Sequence, residues 1–154
     1  MRLNGSIVWV ILSTVLVPCV CDAQSKSQQT LIPAQWHDRQ DSSGQVWDVR
    51  SNGYIDDGTN HTFGNAFQLT VNQNGFSPSS QMMTSDGSEF VLARTTPLNG
   101  VLVTRRVKVD PKKPYCRFAE VLKNPTANAV TANVHVQIRM GRGQFQAMFS
   151  DKGK

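Results

Sequence analysis

Residues 45–140 alternate between apolar and polar side chains in short runs that are separated by turn sequences. Three Asn-Gly dipeptides, at 52–53, 74–75 and 99–100, favour hairpin turns because both residues accept positive φ. No part of the range shows a sustained helical period. The pattern therefore predicts an all-β domain, an antiparallel β-sandwich built from consecutive hairpins. The candidate strands are 45–50, 54–56, 65–72, 88–96, 101–109, 115–122 and 130–140.

The clearest alternation lies in residues 130–140. Side chains in a strand point alternately to its two faces, so the even and odd positions here form two separate rows. The even row is apolar and the odd row is polar. The even row consists of Val130, Ala132, Val134, Val136, Ile138 and Met140, and the odd row of Thr131, Asn133, His135, Gln137 and Arg139.

Two turns predict the register of the strands around Arg105. A loop at 111–114 places Arg105 opposite Glu120 on the apolar face, and a turn at 99–100 places Arg94 opposite Arg105. One row across three strands then consists of Arg94, Arg105 and Glu120. The accompanying pairs are Val109 with Cys116, Val107 with Phe118, Val103 with Leu122, Leu98 with Val101, Phe90 with Val109 and Leu92 with Val107.

Two explanations of this row stay open. In the structural one, Arg105 and Glu120 pair inside the sandwich, which requires near-complete hydrogen bonding because a buried charge without a partner costs several kcal/mol. In the functional one, this part of the sheet lies open, and Arg94, Arg105 and Glu120 form a polar patch that holds a sugar or an anionic ligand. We favour the structural explanation.

The chain begins with the features of an export signal. Met1 and Arg2 give a short basic start, 7–17 is an apolar run, and a small residue at Ala23 suits signal-peptidase cleavage. The predicted signal peptide is therefore 1–23, and the mature protein is secreted, periplasmic or extracellular, with no membrane span after cleavage. A lipid on Cys19 and an uncleaved anchor are the weaker alternatives.

Cleavage would leave a single cysteine in the mature chain. Cys19 and Cys21 leave with the signal peptide, so Cys116 has no internal disulfide partner. Residues 24–44 are polar and rich in serine and glutamine, and Pro33 interrupts them, which predicts a linker or a loosely docked arm.

Charge is distributed unevenly along the chain. Residues 24–93 carry a net charge of −4 and residues 94–154 a net charge of +9. A basic half suits an acidic partner, such as an anionic polysaccharide, a cell-envelope component or the acidic half of a neighbouring copy. We predict no nucleic-acid partner, because the predicted export makes one less favoured and the basic residues lack a regular interleaving with aromatic ones.

The other candidate chemistry is weak, and we predict no catalytic residue, no metal site and no cofactor. The loop around Asp56 and Asp57 does not match a calcium loop, and its acids suit turn formation. The three histidines lack the spacing of a zinc site. A hydrolase with paired carboxylates needs two facing acids, whereas Glu120 has arginine neighbours.

Three stretches resemble a known type of domain: "WDVRSNGYIDDGTNHTFGNAFQLTVN", "LNGVLVTRRVKV" and "CRFAEVLKNPTANAVTANVHVQI". Together they are similar to a β-sandwich segment of secreted multi-domain bacterial proteins, over residues 45–140. Such segments have no assigned activity, and some resemble half of the sandwich of sugar mutarotases and polysaccharide lyases. That resemblance implies carbohydrate binding by Arg94, Arg105 and Glu120. This chain departs from the pattern because only a tail, 141–154, follows the last strand, which suggests a truncated version with an unprotected edge strand that pairs with another chain.

The sequence thus predicts a secreted, non-catalytic β-sandwich module for attachment or assembly at the cell surface. Its expected partners are a polysaccharide, an envelope component or a second copy. The alternative is a carbohydrate-active enzyme, or its remnant, that uses an Arg/Glu patch on an open sheet face.

Export should remove residues 1–23, because the small side chain of Ala23 fits the signal-peptidase site. N-terminal sequencing and intact mass of the exported protein should give a chain that starts at Gln24. A different mature N-terminus, or a mass increase from lipid on Cys19, would contradict soluble export.

Overall fold

A computed structural model describes residues 29–141, which form ten short strands and one 3-10 turn. The predicted signal peptide and the tail after 141 lie outside the described residues. The strands are β1 Leu31–Pro33, β2 Arg39–Gln40, β3 Val46–Trp47, β4 Gln68–Val71, β5 Asn74–Gly75, β6 Ser80–Thr84, β7 Glu89–Ala93, β8 Leu102–Val109, β9 Cys116–Lys123 and β10 Val134–Gln137, and the 3-10 turn is Thr59–His61.

All strand pairs are antiparallel, and they form three sheets. The largest has five strands in the order β1-β6-β7-β8-β9. A second has three strands in the order β10-β4-β5, and β2 pairs with β3 alone. The prediction of an antiparallel all-β protein is confirmed, and the arrangement is consistent with a β-sandwich.

The core lies between the five-stranded and the three-stranded sheets. Phe67, which precedes β4, stacks on Phe118 of β9 with ring centroids 4.4 Å apart. Strand β8 lies between β7 and β9 in the larger sheet, and its odd-numbered side chains are all buried, as the alternation of its sequence requires. The buried apolar cluster comprises Val49, Ile55, Leu69, Val71, Phe76, Met83, Phe90, Leu92, Leu98, Val101, Val103, Val107 and Val109.

The predicted register of β8 with β9 is confirmed along its whole length. Val109 lies opposite Cys116, and Arg105 lies opposite Glu120. The proline-flanked loop at 111–114 therefore sets the pairing, as expected from its length.

The predicted register of β7 with β8 is wrong by two residues. Phe90 lies opposite Val107 and Leu92 opposite Arg105. The bridge of Leu98 with Val101 exists as predicted. Between this bridge and the paired part of β7, however, the three residues 95–97 lie opposite a single residue of the returning strand. Pro97 lies in this bulge, where it need not donate a ladder hydrogen bond, and the two extra residues shift every pair beyond it.

The segment 24–44, predicted to be a linker or arm, is more closely attached in its described part. Strand β1 pairs with β6 at one edge of the five-stranded sheet, and the ring of Trp36 stacks on Phe90 at a centroid distance of 4.9 Å. Strands β1 and β6 were not predicted, because neither alternates over enough residues to be recognised.

Gly53 permits a close approach between a turn and the core. Its φ is +79°, and a Cβ at this position would lie 2.8 Å from Cδ of Arg105 and 2.9 Å from Cδ1 of Leu92. Gly44 also has a positive φ, +84°, but a Cβ there would meet no atom within 4 Å. Both glycines thus have a positive φ, at which any other residue would be strained, and only Gly53 is closely packed.

Gly53→Ala should destabilise the protein more than Gly44→Ala. Both substitutions place a side chain at positive φ, which costs about 1 kcal/mol, and only Gly53→Ala also pushes against the core, for about 1–3 kcal/mol more. Urea unfolding of the two variants measures the difference. Equal losses of stability would show that the turn at Gly53 does not press on Arg105.

Candidate functional site

Arg105 and Glu120 meet on the core face of β8 and β9. The guanidinium of Arg105 is fully buried, and its Nε lies 3.2 Å from Oε1 of Glu120, whose side chain is 13% exposed. The same guanidinium lies over the ring of Phe118, with Cζ 5.1 Å from the centroid. The cation is therefore stabilised by one carboxylate and one aromatic face.

This contact between Arg105 and Glu120 is close but poorly directed. Among the described residues, no group forms a well-aligned hydrogen bond with the guanidinium nitrogens of Arg105 or the carboxylate oxygens of Glu120. The near-complete hydrogen bonding expected of a buried pair is thus not present there, and the two charges are held by proximity and packing. Gly53 packs directly against the Arg105 side chain, so separating the two charges would be costly.

Burial determines the direction of both pKa shifts. Desolvation lowers the pKa of Arg105, and the opposing attraction of Glu120 only partly offsets it. Desolvation also raises the pKa of Glu120 despite the adjacent guanidinium. Because an arginine starts from so high a pKa, Arg105 stays charged, and Glu120 is the partner that can change its protonation state.

Arg94 does not belong to this row, because the shifted register of β7 places Leu92 opposite Arg105 instead. The half-buried Arg94 turns to its own loop, where Nε lies 3.4 Å from the carbonyl oxygen of Thr96 and Nη2 lies 3.4 Å from its hydroxyl. The expected patch of two arginines and a glutamate is therefore not assembled. Leu92, Arg105 and Glu120 form the observed row.

A second ion network lies on the opposite face of the same sheet. Glu89 is 5% exposed and accepts hydrogen bonds from Nη2 of Arg106 and, at 3.1 Å, from Nη2 of Arg117. Arg106 also donates to the side chain of Gln29 at 3.2 Å. This network was not predicted from the sequence, because only the correct register aligns Glu89, Lys108 and Arg117 in one row.

A pocket of about 500 Å³ opens beside the 3-10 turn. It contains Asp56 and Asp57, together with His61, whose Nδ1 lies 2.7 Å from Oδ2 of Asp57. Asp48 accepts hydrogen bonds from the backbone N–H groups of Asp57 and Gly58 and so holds the turn in place. Within residues 29–141, His, Cys, Asp and Glu side chains form no group of three or more that could hold a metal ion.

Cys116 lies at the start of β9 and is half-buried. Burial raises the pKa of its thiol to about 12, and the nearby Arg105 only partly counteracts this effect. The thiol is therefore protonated at neutral pH, which makes it a poor nucleophile.

The apolar row predicted for residues 130–140 is exposed except at Ala132, which is half-buried. Strand β10 pairs with β4 so that Val134 lies opposite Val71 and Val136 opposite Leu69. Val71 and Leu69 are buried, whereas Val134 is 44% exposed and Ile138 is 57% exposed. The face that forms the core at β4 is thus uncovered at β10. We call Val130, Val134, Val136, Ile138 and Met140 the exposed apolar row.

Comparison of the chain with protein-family models, with curated proteins and with solved structures finds no match in any of the three. None of the helices within the described range is long and apolar enough to cross a membrane.

Arg105→Leu and Glu120→Leu should each cost about 3–5 kcal/mol of unfolding free energy, and the double substitution should recover most of that loss. Each single change leaves a buried charge without its partner, and the double change removes both charges. Denaturant unfolding of the four proteins gives the coupling free energy. Additive or negligible effects would contradict a buried, coupled pair.

The pH dependence distinguishes the two single variants. Because the folded-state pKa of Glu120 is raised, acidification favours the folded protein, and this stabilisation is lost as the pH rises through the folded value. The effect should be larger in Arg105→Leu, which has lost the cation, so its stability deficit should shrink between pH 7 and 5. Both proteins that carry Glu120→Leu should lack this gain.

Proposed function

We propose that this protein is a non-catalytic β-sandwich module that is exported and serves assembly or attachment at the cell surface. The observation that carries this proposal is the exposed apolar row, which continues the buried face of β4 beyond the cover of the opposing sheet. Exposed apolar surface on a contiguous strand is typical of a protein interface. Another polypeptide that covers this row would supply the burial that the fold itself leaves incomplete.

The Arg105 and Glu120 pair supports a module better than an enzyme. A carbohydrate-active site would need the carboxylate in an accessible polar pocket, whereas here Arg105 is fully buried and Glu120 is 13% exposed. The carboxylate faces the buried cation at 3.2 Å, and Gly53 packs against the side chain of that arginine. We therefore assign the pair to stability, and the predicted polysaccharide or envelope partner would bind elsewhere on the surface.

The basic second half gives attachment an additional electrostatic contribution. The outward-facing side chains of β8 and β9 include Arg106, Lys108 and Arg117. The buried carboxylate of Glu89, on the neighbouring strand β7, pairs with Arg106 and Arg117. Arg117 is 57% exposed and remains accessible to an acidic partner. Attraction of this kind accelerates encounter and weakens with added salt, whereas the exposed apolar row would provide affinity that persists in salt.

Ile138→Lys should release the exported protein from the cell surface. Ile138 is the most exposed member of the row, so a charge there should spare the fold while it opposes burial in an interface. We expect about a tenfold lower ratio of surface-bound to free protein in cells of the source organism. Fractionation and immunoblotting of cells and medium measure this ratio.

Gln137→Lys is the matched control, because Gln137 is also exposed but its side chain points to the other face of the strand. It should be retained as the wild type is. If Ile138→Lys is retained equally well, or if the control is released to the same extent, the exposed apolar row is not the attachment surface.

A further inference from the structure

The exposed apolar row lies on a strand with an available edge. Asn133 accepts a backbone hydrogen bond from Asn72 at 2.8 Å, and Arg139 accepts one from Gly64 at 3.1 Å, so the odd-numbered residues bond toward β4. Backbone groups alternate between the two sides of a strand. The N–H and C=O groups of Val134, Val136 and Ile138 therefore point to the other side, where no described residue pairs with β10.

This edge has none of the features that usually prevent strands from pairing. Natural edge strands are protected by charged residues, proline or bulges. Between residues 130 and 140 the only charged residue is Arg139, and there is no proline. The edge of β9, in contrast, carries Arg117, Glu120 and Lys123. Of these two edges, β10 is the one suited to accept another strand.

We propose that a second copy of this chain pairs with the free edge of β10, by antiparallel pairing of β10 with β10 of that copy about a two-fold axis at Val136, which sets the two exposed apolar rows side by side. This inference rests on the proposed function and names the polypeptide that lies next to the row. The result would be an isologous dimer, in which the same surface of each copy faces the other.

The sequence of β10 is complementary to itself in this register. Val136 faces Val136, and Val134 faces Ile138, so apolar side chains meet on one face of the joined sheet. On the other face His135 lies opposite Gln137, and Asn133 lies opposite Arg139. The two Arg139 side chains lie at opposite ends of the pairing, about 20 Å apart at the usual rise of a strand, so like charges do not meet.

The proposed pairing would also enlarge the smaller sheet. The sheet β10-β4-β5 has three strands, one of which has only two residues. Joining two such sheets at β10 gives six strands, a common size for a sheet in a globular domain. It also extends the apolar face across the axis, so that the row in each copy gains apolar neighbours from the other.

A charge-exchange experiment at Val136 tests the two-fold register. Sedimentation equilibrium of the full chain, as the host exports it, should show a dimer that persists at high salt. Val136→Lys and Val136→Glu should each be monomeric, because each places two identical charges opposite one another. An equimolar mixture of the two variants should recover the dimer, with a dissociation constant at least about tenfold lower than that of either variant alone.

Val121→Lys and Val121→Glu are the matched controls. Val121 is 50% exposed on β9, at the edge that carries more charge, and its substitution should leave the dimer unchanged. Circular dichroism and urea unfolding should show that all four variants are folded. A Val136 variant that fails to fold is replaced by Ile138→Lys and Ile138→Glu, which face Val134 across the axis and should also give monomers.

Three outcomes would overturn the inference: a monomeric wild type at every concentration, dimerisation of Val136→Lys alone, or loss of the dimer without recovery in the mixture. A monomeric wild type, combined with release of Ile138→Lys from cells, would leave the proposed function standing with a different chain on the row. A dimer that dissociates with added salt would favour contact of acidic and basic halves and would also overturn the β10 pairing.

Discussion

The cost of placing a guanidinium in the core constrains much of this structure. Arg105 is fully buried on β8, beside the edge strand β9 of the five-stranded sheet, and a buried cation without a partner would be expensive. Two features offset part of this cost: the carboxylate of Glu120 and the ring of Phe118. Both lie on β9 and require its correct register with β8, so a slipped pairing would separate Arg105 from both of them.

The burial of Arg105 also determines what the sheet face can do. A ligand site needs polar groups that solvent can reach, whereas the side chain of Arg105 is fully buried. The raised pKa of Glu120 follows from the same enclosure, since desolvation exceeds the attraction of the neighbouring charge. The ion pair of Arg105 and Glu120 therefore stabilises one register of the fold. Other molecules would bind at the outer faces and edges of the sheets.

The sequence predicted the parts of the structure in which local pattern and turn geometry agree. The proline-flanked loop and the long alternation on both sides of it predict the pairing of Arg105 with Glu120 correctly. The same reasoning failed for β7 because the bulge at 95–97 changes the register without changing the alternation, and Arg94 was consequently misplaced. The network around Glu89 was missed for the same reason, and the pairing of β1 with β6 was missed because it joins short segments far apart in sequence.

The exposed apolar row was correctly predicted as an apolar strand face, yet the fold leaves that face uncovered and available to another chain. Alternation in 130–140 correctly separates an apolar from a polar face, but it cannot say whether the opposing sheet reaches that far. Residues 69 and 71 are buried while their neighbours across the ladder are exposed, so the limit of the core falls between two hydrogen-bonded strands. A surface with this pattern is either an aggregation hazard or an interface, and the self-complementary order of side chains about Val136 favours the interface.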